Sequence, residues 1–352
     1  MYRDRDALVS KEGIIFRVMG YDHPPGAYVC DVEYAPESVY RSPDPRSPRV
    51  GRRGERYYKF YFDGGLRFVE ERYPQYTVYH EPLGRRLVGL REDQVAEARL
   101  PGDGLERLYY SDRDDVVVRA LREVLDYVLE VSSLGIGDFG VFGSLLHDFY
   151  HPEYSDLDFV VYGRERVREL VEVLAELYRD PSSLLDNEFP RYAYYHSWRF
   201  SNYSPEEFLR HQERKAIYAV YKRKLRERRF KVEFEPVRDW SEIENEYERV
   251  ERIERLGWME ATIEVVDASD SYFMPSIYRV LVLEARGPRG CDEVERVVSY
   301  VEEFRMQLEE GERGVVVGWL ERVSLKREGD FYQVALSYGP RYFEQVLKSL
   351  EI

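Results

Sequence analysis

Cysteine is nearly missing from this sequence: Cys30 and Cys291 are the two among 352 residues. A structural zinc site uses four ligands, commonly cysteine and histidine, and a disulfide framework needs several cysteine pairs. Two cysteines are too few for a structural zinc site or for a disulfide framework. The sequence alone does not decide whether these two residues form a single disulfide.

Long apolar segments are missing as well. No apolar run approaches the roughly 20 residues that a transmembrane helix needs. The first residues, Met-Tyr-Arg-Asp-Arg-Asp, carry too many charges for a secretory signal peptide. We therefore expect a cytoplasmic protein with no membrane partner, and the chain is long enough for two or three domains that each bury a core.

Asparagine, glutamine and lysine are rare, with 3, 6 and 8 residues, whereas arginine contributes 44. Charged residues make up 34% of the chain. Few thermolabile amides combined with many charges are typical of thermophilic proteins, in which ion-pair networks add to stability. A lone arginine or glutamate is therefore weak support for a functional site.

Positive charge is in deficit overall, because the formal net charge is −15 at pH 7. The chain as a whole is therefore a poor binder of polyanions. One segment is an exception: between Arg199 and Lys231, eleven basic residues stand against four acidic ones, a net charge of +7. A nucleic-acid partner would need a local basic surface of this kind.

The basic segment begins with a helix signal. Ser204-Pro205-Glu206-Glu207 combines a capping box with proline at the first helical position. This predicts a basic helix within 204–231 that ends near Arg228. An ordinary solvated helix face with internal ion pairs explains the charges from Lys222 to Arg229 equally well.

Lysine and arginine are absent from 135–163, although this stretch contains several acidic residues. Here Asp156-Leu157-Asp158 leads directly into an apolar strand-like run. Because successive side chains of a strand point to opposite faces, Asp156 and Asp158 share one face and Leu157 points into a core. Neighbouring carboxylates resist ionising together unless a cation lies between them, and such oxygen ligands suit Mg²⁺. An isolated Asp-x-Asp pair is more often ordinary turn chemistry.

Gly143-Ser144 closes the apolar run before this pair, and eleven residues separate Ser144 from Asp156. An apolar strand, Gly-Ser, a gap of about ten residues and then Asp-hydrophobic-Asp resembles the signature of the DNA polymerase β-like nucleotidyltransferase superfamily. The resemblance implies that Gly143 and Ser144 approach the triphosphate of a bound nucleotide. It also implies that Asp156 and Asp158 hold divalent metal ions, Mg²⁺ or Mn²⁺.

Over a longer span the chain is similar to an uncharacterised archaeal group of predicted nucleotidyltransferases. The stretch from Glu12 to Gly26, the motif block and an Arg-Lys pair carry this likeness. In that group the Arg-Lys pair stands on the helix before the third acidic strand. The likeness implies that Arg214 and Lys215 reach the triphosphate, and arginine suits bidentate phosphate contacts.

The superfamily places a third carboxylate on a later strand, for which 229–237 is the corresponding segment. Glu233 and Glu235 point to the same face of that strand. Glu233 matches the third position best, but the family favours aspartate there, and the choice between Glu233 and Glu235 stays open. An edge strand with a charged outer face is the alternative interpretation.

Three domains are predicted. They are an N-terminal β-rich domain over 1–108, a nucleotidyltransferase domain over 109–238 and a C-terminal α+β domain over 239–352. Pro101-Gly102-Asp103-Gly104 marks the first boundary. The fold class is therefore a multidomain α+β or α/β protein, whose central mixed sheet carries helices and the site at its strand ends.

Hydrophobic spacing predicts the main elements. In the first domain, strands are expected over 13–19, 27–34 and 57–62. In the central domain, helices are expected along the apolar stripe 117–129 and over 165–179. In the C-terminal domain, helices are expected over 241–256, along the stripe 294–308 and over 343–350.

Together these features predict Mg²⁺-dependent transfer of a nucleoside monophosphate from a nucleoside triphosphate to an acceptor by a two-metal mechanism. The catalytic carboxylates would be Asp156 and Asp158 with Glu233 or Glu235. The acceptor is open: the basic segment 204–231 favours RNA, whereas the acidic chain favours a protein or a small molecule. A non-catalytic nucleotide- or RNA-binding module with the same fold is the alternative function.

Overall fold

A computed structural model describes residues 1–189, 199–225, 228–339 and 341–352. The chain divides into two compact units. The first unit comprises Met1–His80, Arg85–Asp186 and Ile217–Asn245, and the second comprises Glu81–Gly84, Asn187–Ala216 and Glu246–Ile352. Most of the predicted N-terminal and nucleotidyltransferase domains therefore belong to one unit, which differs from the three-domain prediction.

The first part of unit one is an eight-stranded sheet. Its strands are β1 (Ala7–Ser10), β2 (Ile15–Val18), β3 (Ala27–Pro36), β4 (Pro48–Val50), β5 (Arg56–Lys59), β6 (Thr77–His80), β7 (Arg85–Arg91) and β8 (Val95–Arg99). The strand order is β4-β5-β3-β2-β1-β8, and β7 pairs with both β3 and β6. The β-rich character of this region was predicted, but the helix α1 (Gly64–Arg72) was not. Phe68 and Val69 of α1 pack into the core formed by the sheet.

A second, mixed sheet follows in the chain. Its strands are β9 (Phe139–Val141), β10 (Leu157–Tyr162), β11 (Leu185–Asn187), β12 (Tyr218–Leu225) and β13 (Arg228–Val237), in the order β11-β12-β13-β10-β9. The strands β10 and β13 are parallel, whereas β9 is antiparallel to β10 and β12 is antiparallel to β13. The accompanying helices are α2 (Pro101–Tyr109), α3 (Val116–Glu130), the short α4 (Gly143–Leu146) and α5 (Arg164–Arg179).

The helix α3 shows why the central region folds as its pattern predicts. The side chain of Asp115 accepts hydrogen bonds from the backbone N–H groups of Val117 and Val118, which caps the helix N-terminus. Apolar residues at helical spacing, including Leu121 and Val128, are fully buried. The predicted helix over 165–179 is likewise present as α5, with one residue more at its start.

A shared hydrophobic cluster explains why the two sheets belong to one unit. Ala7, Val9, Ile15 and Tyr34 of the first sheet pack against Leu146 and Phe149, which follow the Gly-Ser turn. The ring of Tyr57 on β5 also stacks on the ring of Phe149, with 4.4 Å between the centroids. Burying these surfaces together stabilises both sheets and joins them into one unit.

The predicted basic helix was wrong beyond its first turns. The capping box at Ser204 does start a helix, α6 (Pro205–Glu213). The helix then ends, because Ala216 has a left-handed φ of 58° and the next residues enter β12. Tyr218 to Tyr221 are aromatic or small apolar residues that pair with β13, so sheet formation overrides the helix signal. Most of the positive charge therefore lies on the β12–β13 hairpin, where Arg226 and Glu227 fall outside the described residues.

Unit two is built around a closed barrel. Its strands are β14 (Val250–Asp270), β15 (Ser276–Arg286), β16 (Val294–Ser299), β17 (Arg313–Leu325) and β18 (Gly329–Leu336), with β19 (Val346–Ser349) beside β17. The order is β14-β15-β16-β18-β17, and β14 also pairs with β17, which closes the circle. The strands β16 and β18 are parallel. Small five-stranded Greek-key barrels of this general kind include the OB fold.

The helices predicted for the C-terminal region were wrong. The charged stretch 241–256 contains short 3₁₀ turns followed by the start of β14, and 343–350 contains β19. In the stripe 294–308, Val297 pairs within the barrel on β16 and Phe304 lies in a 3₁₀ turn, yet both fill the core. The described part of 239–352 is therefore mainly β, not α+β. No helix in the described ranges is long and apolar enough to cross a membrane.

Candidate active site

The Gly-Ser turn lies directly against the Asp-Leu-Asp strand. The backbone N–H of Phe142 donates to the carbonyl oxygen of Asp158 at 3.1 Å. Gly143 follows with a left-handed φ of 58°, and a Cβ atom added there would lie 3.1 Å from Oδ2 of Asp158. Glycine is needed here for two reasons. It adopts the left-handed conformation readily, and it has no Cβ atom to crowd the carboxylate of Asp158.

Ser144 closes the other side of the same turn. Its Oγ lies 3.2 Å from Oγ of Ser155, the residue before Asp156, and its side chain is buried. The hydroxyl of Ser155 also accepts a hydrogen bond from the backbone N–H of His151 at 2.8 Å. The segment between the two halves of the motif therefore folds back on itself, and the structure brings Gly143, Ser144 and the two aspartates together.

The two aspartates lie where the strand pattern predicts. Leu157 and Phe159 are fully buried, whereas Asp156 and Asp158 are partly exposed. Burial first, and then the charge of Asp156, raise the pKa of Asp158 to about 7, although Lys59 opposes them. A raised pKa is the expected result when a carboxyl group is buried beside another negative charge.

Glu233 and Glu235 occupy different environments on β13. Glu233 is in register with Asp158 on the neighbouring parallel strand, and Glu235 is in register with Val160. Register partners on parallel strands project to the same face, so Glu233 is next to Asp158 on the face that carries the aspartates. Glu235 is 1% exposed and forms a buried ion pair with Arg5.

Arg214 and Lys215 belong to unit two, where both side chains are engaged. Arg214 donates from Nη1 and Nη2 to the carboxylate oxygens of Glu312, each at 2.7 Å. Lys215 is 1% exposed, its Nζ donates to Oε1 of Gln212 at 2.8 Å and to the carbonyl oxygen of Glu303 at 2.6 Å, and burial lowers its pKa. These contacts lend no support to nucleotide binding by this pair, which stays a prediction.

Arg228 contacts the segment that leads into Asp156. Its Nη1 donates to the carbonyl oxygen of Pro152 at 2.9 Å, and its Nη2 donates to the carbonyl oxygen of Ser155. Nη2 also lies 3.7 Å from Oδ1 of Asp156. Arg228 therefore holds the segment before Asp156 against the start of β13.

The first sheet adds charged groups that the sequence analysis missed. Glu33 is an extra residue in β3, because Ile15 pairs with Tyr34 while Phe16 pairs with Val32. Such β-bulges redirect side chains and are common beside active sites. The Oε2 atom of Glu33 lies 3.6 Å from Nε2 of His147, which is buried behind the Gly-Ser turn.

The charge of Glu33 is strongly stabilised. Burial alone would raise its pKa, but His147, Arg17 and Lys59 together lower it to about 2. Arg17 contributes directly, because its Nε lies 3.7 Å from Oε1 of Glu33. No local pattern in the sequence marks Glu33 as part of the site, because its position depends on pairing between distant segments.

Lys59 is the second missed group. It ends β5 in register with Tyr34 of β3 and is partly buried. Negative neighbours, first Tyr34 in its ionised form and then Glu33 and Asp158, raise its pKa although burial opposes them. The one sequence signal for Lys59 is the rarity of lysine, with eight residues in the chain.

The arrangement fits a divalent cation bound with substrate. Within the described ranges, no three or more His, Cys, Asp or Glu side chains are gathered as a ready-made metal site. Mg²⁺ is usually held by one or two carboxylates together with substrate phosphates, not by a cage of protein ligands alone. Asp156 and Asp158 supply such a pair, and burial together with the charge of Asp156 raises the pKa of Asp158.

Comparison with known proteins agrees with this geometry. The family model described as nucleotidyltransferase domain matches residues 121–247. An uncharacterized protein of Methanocaldococcus jannaschii is 24% identical over 350 residues, covering 98% of each chain. No solved structure matches. The resemblance inferred from the motif is thereby confirmed: residues 121–247 match the nucleotidyltransferase domain model, and the chain is similar to an uncharacterised archaeal protein over nearly its whole length.

Proposed function

We propose that unit one binds a nucleoside triphosphate with a divalent cation and transfers its nucleotidyl group to an acceptor. The observation that carries this proposal is the closeness of the Gly143 backbone to the carboxylate of Asp158. This places a backbone turn able to accommodate phosphates beside carboxylates able to hold a cation. Neither half of the motif would support the proposal if it stood alone.

Asp156 and Asp158 would hold Mg²⁺ or Mn²⁺ in this proposal. Glu233 is the better third carboxylate, since it is next to Asp158, whereas Glu235 is already paired with Arg5 in the interior. When bound, the cations of a two-metal site neutralise the triphosphate, lower the pKa of the acceptor hydroxyl and stabilise the departing pyrophosphate.

The turn would receive the phosphates. Because Gly143 has no side chain, a phosphate oxygen can approach its backbone closely. The hydroxyl of Ser144, which lies 3.2 Å from Oγ of Ser155, can donate a hydrogen bond to the same phosphate by rotating about its χ1 angle. Arg228 would keep Asp156 in place by holding the preceding segment.

The acceptor is proposed to be RNA, bound through the β12–β13 hairpin and not through a helix. Between Lys222 and Lys231 the sequence has seven basic residues and one acidic residue. Arg228, at the start of β13, links this hairpin to the segment before Asp156. A polyanion on the hairpin would therefore pass close to the carboxylates. A protein or small-molecule acceptor, and a non-catalytic binding module, are the competing outcomes of the test.

The test is Mg²⁺-dependent release of pyrophosphate from each of the four nucleoside triphosphates, with RNA, protein or no acceptor added. We expect release with RNA, and a loss of about 100-fold or more in the Asp156→Asn and Asp158→Asn variants, because the cation would lose a ligand. Asp112→Asn, which changes an exposed aspartate in the same unit, is the matched control.

Each result has a defined meaning. Undiminished release by Asp158→Asn contradicts the assignment of the site. Mg²⁺-dependent nucleotide binding without pyrophosphate release in the presence of any acceptor favours the binding module. If RNA is the acceptor, its affinity falls steeply as the salt concentration rises.

A further inference from the structure

We propose that Lys59, supplied by the first sheet, contacts the phosphates of the nucleotide held at Asp156 and Asp158. This inference rests on the proposed function and adds a residue from a region that the nucleotidyltransferase family match, residues 121–247, does not include. Its basis is the direction of the β5 side chains, the surroundings of the Lys59 ammonium group and the distribution of charge around it.

The direction of Lys59 follows from its neighbour two residues earlier. Side chains at i and i+2 of a strand share a face, so Tyr57 and Lys59 project from β5 to the same side. The ring of Tyr57 stacks on Phe149, which lies in the segment following the Gly-Ser turn. Lys59 is therefore on the face of β5 that covers this segment, and not on the opposite face, which packs against α1.

The cross-strand partner of Lys59 confirms this direction. Lys59 is in register with Tyr34, whose ring centroid lies 5.4 Å from that of His147 and 5.7 Å from that of Phe149. These two residues come shortly after Ser144 in the chain. The turn itself touches Asp158. A continuous set of contacts thus connects β5 with the carboxylates.

The ammonium group of Lys59 is partly buried and has no ion pair among the residues that the structure describes. The ring of Tyr61 lies 5.8 Å from its Nζ atom, at the outer limit of a cation–π interaction. By contrast, Glu33 has His147 and Arg17 within 4 Å. The positive charge of Lys59 is therefore available to an anionic ligand that enters beside Asp158.

The negative charge of a nucleoside triphosphate would complement the positive charge of Lys59. A triphosphate brings several negative charges into a site that already holds Asp156 and Asp158, so cations are needed on more than one side. A divalent ion on the aspartates supplies one, and a lysine donor opposite to it supplies another. Lysine is suited to this role because its ammonium group is a compact charge with three donors.

The experiment measures binding by calorimetry in the presence of Mg²⁺. For wild type, Lys59→Met, Lys59→Arg and Asp158→Asn, dissociation constants are determined for the tightest of the four nucleoside triphosphates and for the corresponding nucleoside. Lys11→Met, an exposed lysine of the same unit, is the control. Thermal unfolding of each variant verifies that it is folded.

If Lys59 contacts phosphate, Lys59→Met weakens triphosphate binding by about 10- to 100-fold and leaves nucleoside binding unchanged. Lys59→Arg retains part of the triphosphate affinity, because it keeps the charge. A purely structural role would instead weaken triphosphate and nucleoside equally, and this result overturns the inference. So does unchanged triphosphate binding by a folded Lys59→Met variant.

The test also separates the inference from the proposed function. Loss of Mg²⁺-dependent triphosphate binding in Asp158→Asn, with no effect of Lys59→Met, retains the proposed function and rejects the role of Lys59. Absence of triphosphate binding by wild type rejects both.

Discussion

Replacing Asp158 by asparagine is expected to stabilise the protein in the absence of divalent cations. Asparagine has nearly the same shape as a protonated aspartate but never carries the negative charge. In the wild type, burial and the neighbouring Asp156 raise the pKa of Asp158 to about 7 from a usual value of 3.8. Ionising this group therefore costs more in the folded protein than in the unfolded chain.

The size and sign of the effect follow from proton linkage. The raised pKa of Asp158 means that its favourable contribution is fully present below the unfolded value of 3.8 and is lost as the pH rises through about 7. At about 1.4 kcal/mol per pKa unit, the upper limit of the loss is about 4 kcal/mol. Because the carboxyl group is partly exposed, solvent screening reduces the expected loss to about 1–3 kcal/mol.

The assay is urea unfolding of wild type and Asp158→Asn at about pH 4 and about pH 8, without and with saturating Mg²⁺. We expect equal stabilities at the lower pH and a more stable variant at the higher pH. Mg²⁺ should stabilise the wild type but not the variant, since a ligand stabilises the state that binds it.

Two results would refute this reasoning. One is an Asp158→Asn variant that gains no stability over wild type between the two pH values. The other is an equal pH-dependent gain in Asp112→Asn, because Asp112 is exposed and should not show it. Either result would mean that Asp158 is not an electrostatically strained carboxylate.

The remaining predictions concern charges near the site. Arg5→Met should lower the free energy of unfolding by about 3–5 kcal/mol, since it removes the cation from the buried ion pair with Glu235. Urea unfolding measures this, and a double Arg5→Met/Glu235→Leu variant should recover part of the loss. The lowered pKa of Glu33 gives stability that is present above its usual value of 4.5 and is lost as the pH falls through about 2. Between about pH 5 and pH 3, wild type should therefore lose about 2 kcal/mol more than Glu33→Gln in the same assay, and parallel losses in the two proteins would contradict this.

The sequence predicted the motif well because its signals are local. The alternation of side chains along a strand correctly predicted Leu157 in the core and Asp158 on the open face. The spacing between the Gly-Ser and Asp-Leu-Asp motifs predicted that Ser144 lies next to the residues before Asp156. The start of α6 was also predicted, since a capping box is a local feature. Its end was not, because pairing of β12 with β13 depends on residues farther along the chain.

The parts that were missed depend on distant contacts. Lys59 and Glu33 come close to the aspartates because the first sheet packs on the segment after Ser144, and nothing in their own surroundings in the sequence indicates it. The apolar stripe that includes Val297 and Phe304 fits a helix by spacing. In the structure, however, one residue lies on a strand and the other in a turn, and both point into the same core. Periodicity identified the buried residues there but not the backbone that buries them.

The closure of β14 onto β17 limits how other chains can associate with unit two. Each of the five barrel strands has a hydrogen-bonded neighbour on both sides, and only the four-residue β19 lies at an outer position within the described sheet. Strand addition is therefore restricted to the stretches that have one partner within the described sheet, such as Leu281 to Arg286 of β15, which pair with β14 but lie beyond the register with β16. Where both sides of a barrel strand are paired, a molecule that binds unit two must do so through side chains and loops.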